Sequence, residues 1–406
     1  MKKIILFLAA ISLFAACDKD DAVRTEQQNA IKVTDLKIPA SFDWQMTTPV
    51  TCNITAPHAT KVFVTTQKGG EPFATFVAGD NAKLMKLEVP NAIQTLYVSY
   101  ATATGVSAEQ AVSIQGGAIT CALAADGINT SATRQGATGN RILYPMVGGY
   151  ATLMFEDLWP AYGDYDFNDC VVNYTSELYL NEKNDVKRMI ISLRVAAVGG
   201  SLPNDFNLAF SGISNSAFGK ITTIAHTNTK SEPVMRPLGA GVFRFENIRQ
   251  NVNKPAGSAY LNTEPGFELS NDQLVSATFE VEFNGLVDPI QLTSKEFNFF
   301  LSRVRESDGR HIEIHMGGYK PTVEALNDYN ALHDGNSNIG KATRHYFSND
   351  NLIWALNIPF DALHAYENVD FNEAYPNFKT WAQSGGTAAR DWYLIYTPSK
   401  VVPAKK

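Results

Sequence analysis

Short runs in which apolar and polar residues alternate, separated by turn residues, make up most of the chain. The clearest runs cover residues 50–54, 61–66, 95–100, 186–198, 205–210 and 277–283. In the last of these, Phe279, Val281 and Phe283 fall on one side of the strand and two glutamates fall on the other. A period of two is typical of β-strands, and the Gly, Pro and Asn residues between the runs mark turns. The pattern predicts an all-β protein with minor helix.

One stretch near the C-terminus has helical spacing instead. Its apolar positions are Phe371, Ala374, Tyr375, Phe378 and Trp381. Because Pro376 interrupts this spacing, we expect a short helix that begins at Pro376 and ends near Gly385.

The spacing of the runs predicts two β-rich domains. Residues 41–116 contain strands every 8–12 residues, which favours a small sandwich that resembles an immunoglobulin-like module. This resemblance is one of architecture, because the stretch lacks the Cys–Trp–Cys core pattern. Residues 117–400 are longer and more aromatic, and we expect a larger, jelly-roll-like β-sandwich there.

The N-terminus has the pattern of a lipoprotein signal. Lys2 and Lys3 precede an apolar stretch at 4–14, which is too short to span a bilayer but suits a signal peptide. Leu13-Phe14-Ala15-Ala16-Cys17 then resembles a bacterial lipobox, which implies cleavage after residue 16 and lipidation of Cys17. The alternative is an ordinary cleaved signal with an incidental cysteine.

Residues 17–40 lack periodicity and predict a flexible tether. Asp18-Lys19-Asp20-Asp21 resembles the surface-export signal of Bacteroidetes lipoproteins. It implies an outer-membrane protein on the cell surface, with a solvated tether on the periplasmic face as the alternative.

Composition narrows the function classes. The formal net charge of -7 becomes -9 once the two lysines of the signal are removed, which argues against a nucleic-acid partner. With Cys17 set aside, only Cys52, Cys121 and Cys170 remain, so the chain is not a disulfide scaffold. Cys52 and Cys121 could pair in an oxidising envelope, and Cys170 is expected to be a buried structural thiol.

The strongest chemical signal is an acidic run between residues 155 and 169. It has five carboxylates, and no Lys or Arg occurs from residue 142 to residue 182. A divalent cation would relieve the repulsion between these carboxylates, and Ca²⁺ prefers six to eight oxygen ligands. The predicted calcium ligands are Glu156, Asp157, Asp164, Asp166, Asn168 and Asp169.

The run is not an EF-hand, because Asp169 stands where that loop needs Gly and Thr175 where it needs Glu. Two alternatives remain open for the same residues. One is a solvated Asp-rich turn, and the other is an acid–base pair for glycoside hydrolysis.

A weaker candidate lies at residues 311–315. Alternation puts His311, Glu313 and His315 on one side of a strand, where two histidines could bind Zn²⁺ given a third ligand. The simpler interpretation is a polar strand face opposite Ile312 and Ile314.

The acidic run also carries a family resemblance. Six segments of the chain resemble the signature of the LruC-domain family. They are residues 155–160 (FEDLWP), 163–169 (GDYDFND), 171–172, 313–322 (EIHMGGYKPT), 351–359 (NLIWALNIP) and 374–378 (AYPNF). This resemblance implies a bacterial lipoprotein with a β-sandwich domain and supplies no catalytic residues.

Together these features predict a non-enzymatic lipoprotein, anchored to the membrane at Cys17, that binds a glycan or an envelope or host protein. A glycan hydrolase that uses the clustered carboxylates, and a structural or pilus-like subunit, are the alternatives.

Overall fold

The computed structural model describes residues 31–124, 139–146, 148–249, 252–334 and 344–404, which form twenty β-strands and three short α-helices. The strands are β1 (Thr47–Thr55), β2 (Thr60–Thr65), β3 (Ala74–Ala78), β4 (Lys86–Pro90), β5 (Thr95–Thr102), β6 (Gly105–Val106), β7 (Gln110–Ser113), β8 (Ala118–Ala122), β9 (Arg141–Tyr144), β10 (Ala151–Phe155), β11 (Cys170–Leu180), β12 (Val186–Ala197), β13 (Asp205–Phe210), β14 (Phe218–Thr227), β15 (Val234–Gly239), β16 (Val242–Glu246), β17 (Val275–Val287), β18 (Phe297–Val304), β19 (His311–His315) and β20 (Ala355–Ile358). The helices are α1 (Leu326–Asp334), α2 (Phe371–Ala374) and α3 (Phe378–Gln383). The predicted all-β fold is confirmed, and α3 confirms the short helix expected after Pro376.

The strands form three sheets within the described residues. The largest has twelve strands, whose main path runs β14-β17-β12-β11-β9-β3-β2-β5-β6, with β10, β20 and β7 paired beside it. A five-stranded sheet has the order β15-β16-β13-β18-β19, and a three-stranded sheet has the order β4-β1-β8. The apolar residues of both smaller sheets pack on one face of the large sheet and form the main core. Burial of these alternating positions is what specifies the pairing register.

Strand pairing continues across the predicted domain boundary at residues 116 and 117. Strand β3, from the predicted small sandwich, pairs with β9, and β1 pairs in parallel with β8. Ile31–Lys406 accordingly cluster as one unit. Alternation within each strand cannot reveal such pairing, because it does not specify which strands become neighbours.

A second core lies on the opposite face of the large sheet. On β10, Leu153 and Phe155 point into the main core, whereas Met154 points into the second. The second core is largely aromatic and includes Phe371, Phe378, Trp381 and Trp392 from the C-terminal region. Neighbouring rings in this region, such as Trp381 and Trp392 with centroids 5.5 Å apart, pack closely enough for favourable aromatic contacts.

The second core also corrects the predicted tether. Val33, Leu36 and Ile38 fall within the range 17–40 that we expected to be a spacer, yet all three are buried in this core. Their short, irregular spacing has no strand or helix period, so the sequence pattern did not indicate burial. The signal peptide, Cys17 and the first part of the tether lie outside the described residues. No helix among the described residues is long and apolar enough to cross a membrane.

Replacing Leu36 by Ala tests whether this segment belongs to the core. Leu36 has no exposed surface, so Leu36→Ala should lower the free energy of unfolding by about 2–5 kcal/mol, measured by urea denaturation. Leu84→Ala is the matched control, because Leu84 is 62% exposed and should change stability by less than about 0.5 kcal/mol. Equal stability of the two variants would contradict the burial of residues 33–38.

Candidate metal centre

The acidic loop, residues 156–169, connects β10 to β11. These strands pair antiparallel with Phe155 opposite Cys170, so both ends of the loop are held together by the sheet. Tyr165 and Phe167 both have φ of 55°, a left-handed conformation that bulky residues rarely adopt. Their rings are buried in the second core. Successive side chains point to opposite sides along residues 165–167. The carboxylate of Asp166 is therefore directed away from that core and toward Glu156 and Asp164.

Glu156 occupies the centre of the loop. It has no exposed surface, and its Oε1 accepts a 2.7 Å hydrogen bond from the Phe167 N–H. Its Oε2 is buried and has no partner among the described residues. Glu156, Asp164 and Asp166 each offer a carboxylate oxygen, and these oxygens lie within 4.8 Å of one another. Two oxygens that share one Ca²⁺ at about 2.3–2.6 Å can be at most about 5 Å apart, so the spacing fits a shared ion.

Burial and mutual repulsion dominate the electrostatics of this group. Burial, followed by the charges of Asp169 and Asp166, raises the pKa of Glu156 well above its usual value. Burial and the neighbouring Asp164 raise the pKa of Asp166 to about 9. Asp164 itself is exposed, and it forms the solvent side of the cluster.

Asn168 extends the cluster beside Asp166. Its backbone N–H donates to Asp166 Oδ1 at 3.0 Å, and its Nδ2 donates to Asp166 Oδ2 at 2.7 Å. The Asn368 N–H donates to the same Asp166 Oδ2 at 2.9 Å, which joins the loop to the C-terminal region. Asn168 Oδ1 is buried without a partner in the described part of the chain. It is therefore a second oxygen whose hydrogen-bonding capacity is unused.

Asp157 and Asp169 adjoin the group and hydrogen-bond to neighbouring residues. Asp169 Oδ2 accepts from the Asp157 N–H at 2.8 Å, and Asp157 Oδ2 accepts from Asn204 Nδ2 at 3.0 Å. Burial raises the pKa of Asp157, whereas the charges of Arg303 and Arg249 lower it. Burial and the charge of Asp157 raise the pKa of Asp169 to about 7. Of the six predicted ligands, three have carboxylate oxygens within 4.8 Å of one another, and Asn168 hydrogen-bonds to Asp166. One oxygen of Asp157 and one of Asp169 already accept hydrogen bonds.

Glu367 is a member of the cluster that sequence reasoning missed. Its Oε2 is buried and has no partner in the described ranges, and burial followed by the charge of Asp164 raises its pKa to about 7. It lies about 200 residues from the acidic loop, in a separate stretch that also holds Asp370 and Glu373. These acids are spaced among apolar residues, and nothing in the local sequence connects Glu367 with a loop so far away along the chain.

Two glycines allow the oxygens to approach the backbone. A Cβ at Gly163 would overlap Glu156 Oε2, and a Cβ at Gly199 would overlap Asn168 Oδ1. The Gly199 N–H also donates to the Asn168 carbonyl at 3.0 Å. Any side chain at either position would displace an oxygen of the cluster.

The alternative zinc residues are arranged differently from a metal site. His315 is buried on β19, with Nε2 3.0 Å from Glu313 Oε2 and Nδ1 2.9 Å from Asn298 Oδ1. His311 Nδ1 lies 3.4 Å from Glu324 Oε1. Both ring nitrogens of His315 have protein partners, so neither is free to bind a metal ion.

The three cysteines within the described residues, Cys52, Cys121 and Cys170, are free thiols. Cys170 is buried, which confirms the expectation for it, and burial raises its pKa to about 11. Such a thiol is inert rather than nucleophilic. Cys52 and Cys121 lie on the paired strands β1 and β8, and burial raises the pKa of Cys52 to about 12.

Comparison with known proteins adds a family and a fold. The model described as "Domain of unknown function (DUF4842)" matches residues 184–393. A solved structure from Bacteroides ovatus, named "Putative lipoprotein", is similar to this chain with a TM-score of 0.66 and 22% identity, covering 85% of this chain and 99% of that one. At this identity the likeness is one of fold. No curated protein matches the chain. The family name differs from that of the LruC-domain resemblance, which stays a prediction.

The raised pKa values predict a pH-dependent stability for the metal-free protein. The folded-state pKa values of Asp166, Asp169 and Glu367 lie above the ordinary carboxylate values, so the folded state binds more protons than the unfolded state. Stability should therefore fall as pH rises from 6.5 to 8.5. Burial lowers the pKa of His364 to about 4, so this residue is neutral in the folded state throughout the window. Its unfolded form is about half protonated at pH 6.5, which gives a small opposing effect that is confined to the lower end of the window.

Thermal unfolding in chelator at pH 6.5, 7.5 and 8.5 measures this fall. Glu367→Gln should reduce the slope, whereas Asp350→Asn should leave it unchanged because Asp350 is exposed. A midpoint that stays constant or rises over this range would show that the cluster is not strained by its charges.

Proposed function

Because the chain belongs to the DUF4842 family, whose description assigns no function, we propose from its own residues that it is a calcium-stabilised, lipid-anchored binding protein of the bacterial envelope. The observation that carries the calcium part is Glu156 Oε2. This buried carboxylate oxygen, on a side chain beside Asp164 and Asp166, has no hydrogen-bond partner within the described residues. A buried polar atom left unpaired costs about 1–3 kcal/mol, and more when it is charged. A bound cation would remove that cost.

The donor set favours Ca²⁺ over other metals. All the candidate ligands are oxygens: the carboxylates of Glu156, Asp164 and Asp166, the amide oxygen of Asn168 and the carboxylate of Glu367. Hard cations prefer such oxygens, and Ca²⁺ accepts an irregular shell of six to eight ligands. Mg²⁺ demands near-ideal octahedral geometry and usually keeps several waters, which a mostly buried cluster suits less well.

Hydrolysis by the same carboxylates receives less support. A glycosidase needs its two carboxyl groups on either side of a bound sugar. Here Glu156 and Asp166 are buried, and only Asp164 among the three is exposed. We therefore propose a binding protein and not an enzyme, and no described contact favours a pilus-like subunit.

The anchoring part of the proposal rests on the lipobox at Cys17. The similarity in fold to the Bacteroides ovatus protein named as a lipoprotein supports it. The acidic residues at 18–21 support an outer-membrane location on the cell surface. The LruC-domain resemblance is consistent with the same class of lipoprotein.

An open groove of about 600 Å³ is the proposed binding site. It lies on the outer face of the five-stranded sheet, and its volume falls in the usual range for ligand sites. Its lining includes the polar residues Asp205, Asn207, Arg244, Ser302 and Glu313. Apolar side chains stand at its margin, of which Leu238, Val304 and Val323 are exposed.

The chemistry of the groove favours a neutral glycan. Arg244 Nη1 lies 3.1 Å from Asp205 Oδ2, and Glu313 lies 3.0 Å from His315, so charged groups in the groove already have partners. Sugar hydroxyls both donate and accept hydrogen bonds, and their C–H faces suit exposed aliphatic side chains. An extended peptide would instead need the free backbone groups of a sheet edge, which the face of a sheet does not offer.

Calcium binding should be visible as a stability change. Saturating Ca²⁺ at about 100 times the dissociation constant should add about 2.7 kcal/mol of stability, and EGTA should lower the thermal midpoint accordingly. Glu156→Gln keeps the shape of the side chain but removes its charge, so this variant should fold and lose the calcium response. Glu182→Gln, at an exposed glutamate, is the matched control. An unchanged midpoint, with no calcium found by elemental analysis, would exclude the ion.

A bulky residue in the groove tests the ligand site. The probes are cellohexaose, xylohexaose, maltohexaose and mannohexaose, titrated into the calcium-loaded protein by calorimetry. For each sugar that binds, Val304→Trp should weaken affinity at least tenfold because the indole fills the groove. Val106→Trp should not, since Val106 is similarly exposed (60% against 54%) but lies on β6. Undiminished binding to Val304→Trp would place the ligand elsewhere, and no binding of any probe would reject this glycan class.

A further inference from the structure

Leu394, Ile395 and Tyr396 form an exposed apolar segment that the proposed calcium and glycan sites do not use. Their exposed fractions are 49%, 49% and 43%. Other large apolar side chains exposed in the described residues, such as Leu84 and Val106, occur singly along the chain. Isolated exposed apolar residues are normal in soluble proteins, but a contiguous group marks an interaction surface.

The residues on either side of this segment attach it to the second core. Trp392, two residues before Leu394, has no exposed surface. Its ring centroid lies 5.0–5.7 Å from those of Phe371, Tyr375, Phe378 and Trp381. The Thr397 N–H then donates to the Ala374 carbonyl at 2.8 Å. Both ends of residues 394–396 are therefore fixed to the second core, and their exposure does not result from a loose end.

The chain enters the described structure next to this segment. Asn372 Nδ2 donates to the Ile31 carbonyl at 2.8 Å, and Val33 N–H donates to Asp370 Oδ2 at 3.0 Å. Asn372 and Ala374 both belong to the four-residue helix α2, so Ile31 and Thr397, the residue after the segment, hydrogen-bond to the same short helix. Ile31 is itself 48% exposed.

The distance to the proposed anchor limits where the membrane can be. Thirteen residues separate Cys17 from Ile31, and even fully extended they would span no more than about 50 Å. Tethering at this range gives an effective concentration in the millimolar region, enough to sustain a weak contact. A membrane carrying the lipidated Cys17 would thus be within reach of the side of the protein that exposes Leu394.

The surrounding charges suit a lipid surface. Lys32 and Arg390 are exposed near the segment, together with the exposed acid Asp391, and Lys400 pairs with Glu373 at 2.6 Å. Aliphatic residues with a tyrosine and flanking cations are the composition of interfacial membrane contacts. Anionic lipids attract such cations.

We propose that Leu394, Ile395 and Tyr396 contact the bilayer to which Cys17 attaches the protein. The contact supplements the lipid anchor and orients the folded unit on the membrane. This inference rests on the proposed anchoring at Cys17 and is independent of calcium and of the glycan groove.

Fluorescence quenching by brominated lipid tests the contact. The lipidated full chain is reconstituted into vesicles of phosphatidylethanolamine and phosphatidylglycerol, with or without brominated acyl chains. Ile395→Trp adds an indole in the segment, and Leu84→Trp adds one at an exposed site in the turn before β4. The added emission of Ile395→Trp should fall at least twofold in brominated vesicles, whereas that of Leu84→Trp should not change.

The control is flotation of each variant with the vesicles. A variant that floats without quenching at residue 395 overturns the contact while preserving the anchor. Failure to float overturns the anchor and the contact together. Equal quenching at both sites overturns a specific orientation, and a lipid-independent, concentration-dependent blue shift at residue 395 would assign the surface to a second copy of the chain.

Discussion

Burial of Tyr165 and Phe167 in the second core is the constraint on which the acidic loop depends. Both residues are held at positive φ, a costly conformation that persists only where packing over-determines it. Once these rings are buried, the alternating Asp164, Asp166 and Asn168 are directed to the other side. The packing of these rings therefore holds the like charges close together, and a bound cation would neutralise them.

The same core unites parts of the chain that are remote in sequence. Val33 and Leu36 come from its beginning, Phe167 from the acidic loop and Trp392 from near its end. Across this junction the Phe371 N–H donates to the Tyr165 carbonyl, while Asn368 donates to Asp166. A cation bound to the acidic cluster would thus stabilise the packing of both terminal regions in the second core, although none of the proposed metal-binding residues lies in residues 33–46.

The sequence predicted the individual strands and the acidic loop well, because both signals are local. Alternation located β13 and β17, and the density of carboxylates located Glu156, Asp164 and Asp166. Glu367 could not be predicted, since its membership depends on how segments about 200 residues apart pack. The burial of Val33 and Leu36 was also hidden, because a few apolar residues without a period resemble a spacer until a complementary surface is known.

Alternate residues of β10 point into different cores, so the two faces of the large sheet lead to different surfaces of the protein. The proposed binding groove lies beyond the five-stranded sheet on one face of the large sheet, whereas residues 394–396 belong to the region on its other face. Stacked sheets are about 10 Å apart, so at least two layers separate these surfaces. A bilayer beneath residues 394–396 would leave the groove facing away from the lipid, where long polymers could enter it without crossing the lipid headgroups.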